Sequence, residues 1–247
     1  MRRPVPRLIV FPLAVAGAVL FGAFLDHWYF RESPSRDTIE ALPEQLTPEE
    51  ALAELRHGNR RYITSHRLRS IDTAHDADDR RRLAQGQHPF VALLCCADSR
   101  LSPEFVFDQK PGSIFEVRNA GNVVDDDVMA SLEYAVEHLH VPLVIVLGHT
   151  GCGAIAAVHN AGDTPLPHHL RALQEHMRGI RPESLRHLGR HDSELLDRLA
   201  LVNAKFQAED LMNQSEPIRQ AVKAGHSRLL YGIYHLDSGI VELEDLK

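Results

Sequence analysis

Two apolar runs set the frame for the rest of this chain. Val91-Ala92-Leu93-Leu94 leads into Cys95-Cys96, and Val141 to Leu147 leads into Gly148-His149. Continuous apolar character of that length reads as a strand covered on both faces, as in a parallel sheet. Each run ends in chemistry. The first continues as Cys96-Ala97-Asp98-Ser99-Arg100, the second as His149-Thr150-Gly151-Cys152. Two thiols and one imidazole suit a borderline-soft divalent cation, above all Zn2+, and three protein ligands leave the fourth tetrahedral position free. Apart from Cys95, which should face the opposite side of the strand, no fourth Cys or His adjoins either cluster, so the pattern points to a catalytic rather than a structural metal. Open α/β sheets place their sites just past the carboxyl ends of strands, where both ligand groups fall. Gly151 and Gly153 flank Cys152 at the start of an apparent helix, Ala154 to Asn160. A helix N-terminus lowers a thiol pKa and offers free N–H groups to an anion.

The remaining segments fit the same architecture. Thr47-Pro48-Glu49-Glu50 is a capping box with proline at the first helical position, followed by an apolar stripe at Ala51, Leu52, Leu55 and Tyr62, with Gly58-Asn59 an irregularity. A charged helix is expected over 76–85, a short one after Ser102-Pro103-Glu104, and a strand over 113–117. Asp125-Asp126-Asp127 opens a helix reaching His138, with its negative charge set favourably against the macrodipole. Residues 165–190 read as a helical excursion with loops. Leu195, Leu196, Leu199, Val202 and Phe206 have helical spacing over 193–212, and Glu216-Pro217 begins a further helix ending at Gly225. A strand over 228–236 turns at Asp237-Ser238-Gly239 into a last strand over 240–243. Strands alternating with helices predict an α/β fold: a mainly parallel four-stranded sheet, an antiparallel C-terminal edge strand, and helices on both faces.

Net charge is −7, which argues against a nucleic-acid surface. The local exception is Arg2, Arg3 and Arg7, which precede an uncharged, mostly apolar stretch at residues 8–25 and then Trp28-Tyr29-Phe30. The basic start, apolar middle and aromatic belt read as a membrane signal-anchor or a cleaved signal peptide, with the globular part exported. Residues 1–30 are therefore set apart from a linker at 31–46 and a catalytic domain at 47–247. With Cys96 and Cys152 assigned to metal, one of three cysteines is left over. Cys95 should point to the opposite side of the strand and pack as a small hydrophobe.

From about Thr47 onward the chain resembles the β-class carbonic anhydrases, in the Cys-x-Asp-Ser-Arg and His-x-x-Cys pair, in Arg118-Asn119-Ala120-Gly121-Asn122 and in Leu132-Glu133-Tyr134-Ala135-Val136. The resemblance implies one zinc per chain on Cys96, His149 and Cys152, whose bound hydroxide attacks CO2 to give bicarbonate and a proton. It implies that Asp98 orients the hydroxide and that Arg100 grips Asp98 as a bidentate pair. By position, Gln87, Phe115 and Tyr134 correspond to the residues that line the CO2 pocket in one subclass, and the backbone N–H of Gly153 is a further donor. The bicarbonate-inhibited subclass carries a tryptophan where this chain has Leu93, so that inhibitory site is not expected. The family's N-terminal helices pack on a partner subunit, which implies a homodimer or a dimer of dimers. Two other readings share these residues. One is a zinc hydrolase of carbon disulfide or carbonyl sulfide, and the other is a non-catalytic, membrane-tethered zinc-binding module. Of the sixteen histidines, His149 alone has ligand context; His168, His169, His176, His187 and His191 read as a solvated face.

Overall fold

A computed structural model of the chain describes residues 45–66, 77–180 and 193–246. The expected N-terminal signal-anchor and most of the linker lie outside them. Both apolar runs form strands buried at every position, β1 (Val91–Cys96) and β3 (Leu143–His149). They pair side by side in parallel, with Cys95 opposite Leu147. β2 (Ile114–Asn119) lies parallel on the outer side of β1, and β4 (Arg228–Tyr234) lies parallel on the outer side of β3. β5 (Val241–Asp245) closes the far edge antiparallel to β4, giving the order β2-β1-β3-β4-β5. This is the predicted sheet. β2 runs two residues past the expected end, because Arg118 and Asn119 continue the ladder beside Cys95 and Cys96.

Alternation along the strands supplies two faces. One carries Leu93, Cys95, Ile145, Leu147 and Leu230, covered by Ala51, Leu52 and Leu55 of α1 (Pro48–Ile63). The other carries Ala92, Leu94, Val144 and Val146. It is covered by Leu132 of α4 (Asp126–Glu137), Ala204, Ala208 and Leu211 of α7 (Ser193–Gln214), and Ile218 of α8 (Glu216–Lys223). Cys95 therefore packs as a small hydrophobe in the first layer, as expected. Burial pushes its thiol pKa well up. Cys96, on the opposite face, joins a third cluster with Cys152, Ile155, Leu195 and Leu199.

The cap on α1 forms as the sequence predicts: the Thr47 N–H donates to Glu50 Oε2 at 2.8 Å, and the Glu50 N–H donates to Thr47 Oγ1 at 3.3 Å. α1 runs unbroken through Gly58-Asn59, where the sequence predicts an irregularity, and the glycine has a steric reason instead. A Cβ at Gly58 would lie 1.7 Å from the Phe107 carbonyl oxygen, just past the short α3 (Pro103–Val106). Asn59 then ties three segments together, donating to the carbonyls of Val106 and Gly239 and accepting from the Val241 N–H. The charged helix α2 (Ala77–Leu83) is shorter than expected and buries none of its residues. α5 (Gly153–Ala161) follows the second ligand group. The excursion after it contains α6 (Leu170–His176) and a 3-10 turn, Arg178–Ile180. His168 and His169 are exposed and His176 is half-buried, whereas His187 and His191 lie outside the described residues.

α7 departs from the predicted stripe by a small rotation. Val202 and Phe206 are only partly buried, while the polar Asn203 and Gln207 are fully buried. The helix also packs in contact with the backbone of β3, since a Cβ at Gly148 would lie 2.8 Å from the Ala200 carbonyl oxygen.

Candidate metal centre

β1 leads to a neighbour on one side of the sheet and β3 lies on the other, so the chain diverges at the carboxyl ends of these two strands. A crevice at such a switch point is where α/β sheets bind ligands. Cys96 is the last residue of β1 and His149 the last of β3. Cys152 is the N-cap of α5, with its side chain not used in capping. All three are buried, and their ligand atoms lie within 4.8 Å of one another. Among the described residues they form the one such cluster.

The donor set fits zinc. His149 Nδ1 lies 2.9 Å from the Thr150 carbonyl, to which it donates, so the lone pair falls on Nε2. Nε2 is buried with no hydrogen bond of its own among the described residues. Burial works against a charge on His149, but the Cys96 sulfur, the Thr150 carbonyl and Asp98 outweigh it and raise its pKa. The two sulfurs divide one proton. A hydrogen bond from Cys152 holds the Cys96 thiol down to about 4 against its burial, helped by His149 and the Gly121 N–H. The same bond, with burial, pushes Cys152 well up.

Asp98 and Arg100 sit on the turn after β1. Arg100 grips both carboxylate oxygens, with Nε 2.9 Å from Oδ1 and Nη2 2.8 Å from Oδ2, and its backbone N–H adds a third bond at 3.0 Å. The Arg100 side chain thereby holds the Asp98 carboxyl well below the usual carboxylate range, over the opposing effect of partial burial. Asp98 Oδ2 lies 3.9 Å from His149 Nε2. Gly153 is the first residue of α5, and a Cβ there would meet open space.

The pocket residues fall into two groups. Phe115 and Tyr134 come together, with ring centroids 6.1 Å apart. Phe115 pairs with Ala92, four residues before Cys96, a displacement of about 13 Å along the strand. Gln87 is exposed on the loop that enters β1.

Four residues that sequence reading left without a role support the site. Arg118 donates to the carbonyls of Cys96, Asp98 and Leu101, which fixes the turn carrying Asp98. The Gly121 N–H donates to Cys96 Sγ at 3.3 Å. With φ +76, and a hypothetical Cβ only 2.1 Å from Met177 Cε, that position favours glycine, since a side chain there would strain the backbone and displace the Met177 tip. Asn203 donates to the Gly121 carbonyl at 2.8 Å. Gln207 donates to Asn203 Oδ1 at 3.1 Å and accepts the Val124 N–H at 2.7 Å. The available signal was the i, i+4 spacing of Asn203 and Gln207 among Ala200, Ala204 and Ala208.

Residues 91–241 match the family described as carbonic anhydrase. Carbonic anhydrase 2 of Mycobacterium tuberculosis is 36% identical over 201 residues, covering 80% of this chain and 93% of that protein. The carbonic anhydrase of Mycolicibacterium smegmatis is 34% identical over 200 residues, covering 79% and 93%. A crystal structure of a β-carbonic anhydrase from Aspergillus fumigatus superposes with a TM-score of 0.61 at 32% identity, covering 68% of this chain and 81% of that one.

Cys152→Ser is expected to lose both zinc and activity, as measured by metal analysis and hydration assay. In the wild-type chain one sulfur of the pair keeps its proton at neutral pH, so zinc uptake should release at least one proton. Apparent zinc affinity should then rise about tenfold per pH unit for each proton displaced. Calorimetry in buffers of different ionisation enthalpy reads that number, and zero released protons would contradict the sulfur assignment.

Proposed function

The chain belongs to the β-class carbonic anhydrases, zinc enzymes that reversibly hydrate CO2 to bicarbonate and a proton, and we propose that Asp98 and Arg100 are the working pair beside its metal. The observation that carries this is the grip of Arg100 on both Asp98 oxygens, within 4 Å of the ligand His149. Cys96, His149 and Cys152 hold the zinc, which when bound supplies the acidification that makes hydroxide available near neutral pH. An ionised Asp98 is an acceptor only, so it would accept a hydrogen bond from the reacting hydroxyl group and turn a lone pair toward the CO2 carbon. Arg100 keeps the carboxylate from swinging onto the fourth ligand position. The N-terminus of α5, with the Gly153 N–H, faces the charge that develops on the bicarbonate oxygens.

Two copies complete the substrate pocket in this reading. Among the described residues β2 is an edge strand with a hydrogen-bonded neighbour on one side only. The Phe115–Tyr134 pair stands at that edge, and Tyr134 is 46% exposed. A second copy docked along β2 would bring these two rings toward the Gln87 side of its neighbour's site, giving a homodimer or a dimer of dimers. The rings supply apolar walls and Gln87 an amide donor for an uncharged substrate.

Residues 8–25 support export in the same reading, as a signal-anchor or a cleaved signal. They lie outside the described residues, among which no helix is long and apolar enough to cross a membrane. A C-terminal reporter that works only outside the cytoplasm should be active, and a reporter active only inside would refute export.

Arg100→Ala should keep zinc near one per chain while hydration falls about 10²–10⁴-fold; wild-type turnover in that variant would sink the assigned roles. Mixing Cys152→Ser chains with Tyr134→Ala chains should give more activity than the mean of the two parents, because one site in each mixed dimer is whole. Activity equal to that mean would rule out a shared pocket.

A further inference from the structure

Gly151 lies between the two ligands His149 and Cys152 in a left-handed backbone conformation, φ +63. A Cβ there would meet only Leu236 Cδ1 at 3.9 Å, so glycine serves the turn and not the space. That turn aims the two polar backbone groups of Gly151 at opposite charges. Its N–H donates to Asp197 Oδ1 at 2.7 Å, and its carbonyl accepts from Arg100 Nη2 at 3.1 Å. The same Nη2 donates to Asp98 Oδ2. Asp197, Gly151, Arg100 and Asp98 thus form one line of hydrogen bonds from α7 to the site.

The Arg100 side chain is 54% exposed. An exposed guanidinium gives up side-chain entropy to stay in one geometry and gains little from a single ion pair in water. The Gly151 carbonyl therefore gives Arg100 an anchor on fixed backbone beside its bonds to Asp98. Asp197 is anchored on its side by Leu195 and Leu199 of the same helix, 1% and 2% exposed. Its bond to a backbone N–H is charge-assisted, the stronger kind.

We infer that Asp197 is a positioning residue for the Asp98–Arg100 pair, acting through the Gly151 peptide. The inference depends on the role proposed for that pair. An acidic residue near the start of α7 would also favour the helix through its macrodipole, with no bearing on the site. Substitutions separate the two roles, since asparagine keeps an acceptor and loses the charge, whereas leucine loses both.

The test compares full chains carrying Asp197→Leu, Asp197→Asn, Arg100→Ala and the Asp197→Leu/Arg100→Ala pair. Hydration kcat is measured on the Zn2+ forms and visible absorption on the Co2+ forms. Asp197→Leu should lower kcat about 10–100-fold at unchanged metal content and move the cobalt spectrum toward that of Arg100→Ala. Asp197→Asn should recover most of that loss, and the double variant should be no worse than Arg100→Ala alone. Asp197→Ala replaces the leucine variant if leucine disturbs folding. A wild-type kcat and spectrum in Asp197→Leu beside a damaged Arg100→Ala overturns this inference alone, as do losses that multiply in full. A silent Arg100→Ala overturns the reading of the pair, and this inference with it.

Discussion

Parallel pairing of β1 with β3 sets the distance on which the rest of the structure depends. Their register places Cys95 opposite Leu147, so Cys96 and His149 leave the sheet at the same edge, one step apart. Neither strand carries a charged side chain before that edge, and both are buried throughout. Hydrophobic burial acts on the whole length of each strand and has no preferred direction. The ladder of backbone hydrogen bonds converts that bulk effect into placement of two donor atoms. α5 then delivers the third from its N-cap.

Much of this was legible in the sequence, for a physical reason. A strand covered on both faces has to be apolar along its length, so Val91 to Leu94 and Val141 to Leu147 announce themselves. The metal ligands are soft donors at strand ends, which little else requires. The capping box at Thr47 and the opposite facing of Cys95 and Cys96 follow from local geometry alone, and both hold. The third link, from α7 to the loop after β2, was not legible. Asn203 and Gln207 look like solvent residues until the loop at 121–124 is seen to need a donor and an acceptor inside the core. The apolar stripe read from Val202 and Phe206 is rotated from the true one because two amides satisfy backbone groups that leucine would leave bare. Phe115 and Tyr134 were matched to the pocket by position. The register sets Phe115 about 13 Å along the strand from Cys96 of its own chain.

Two arginines at the carboxyl end of the sheet divide the labour around the site in this reading. Arg118 spends its donors on three carbonyls and makes the turn after β1 a fixed object. Arg100, on that fixed turn, holds a carboxylate at the mouth of the site. A guanidinium fits both tasks because its donors are planar and always charged. The sulfur of Cys96 is held differently, through a backbone N–H whose glycine is itself pinned by a buried amide. An amide adds no charge beside a thiolate, so it fixes position without competing for the metal.

The contact between Gly148 and the Ala200 carbonyl has a consequence for how this chain tolerates change. α7 lies as close to β3 as its backbone allows, with alanines where a larger side chain would lift it. The helix is therefore a spacer of fixed thickness, and the groups along it sit at depths that one methyl group would alter. Volume and not chemical type is the quantity held constant at position 148. A residue that bears no functional group thus limits the precision of the site as much as the groups that line it.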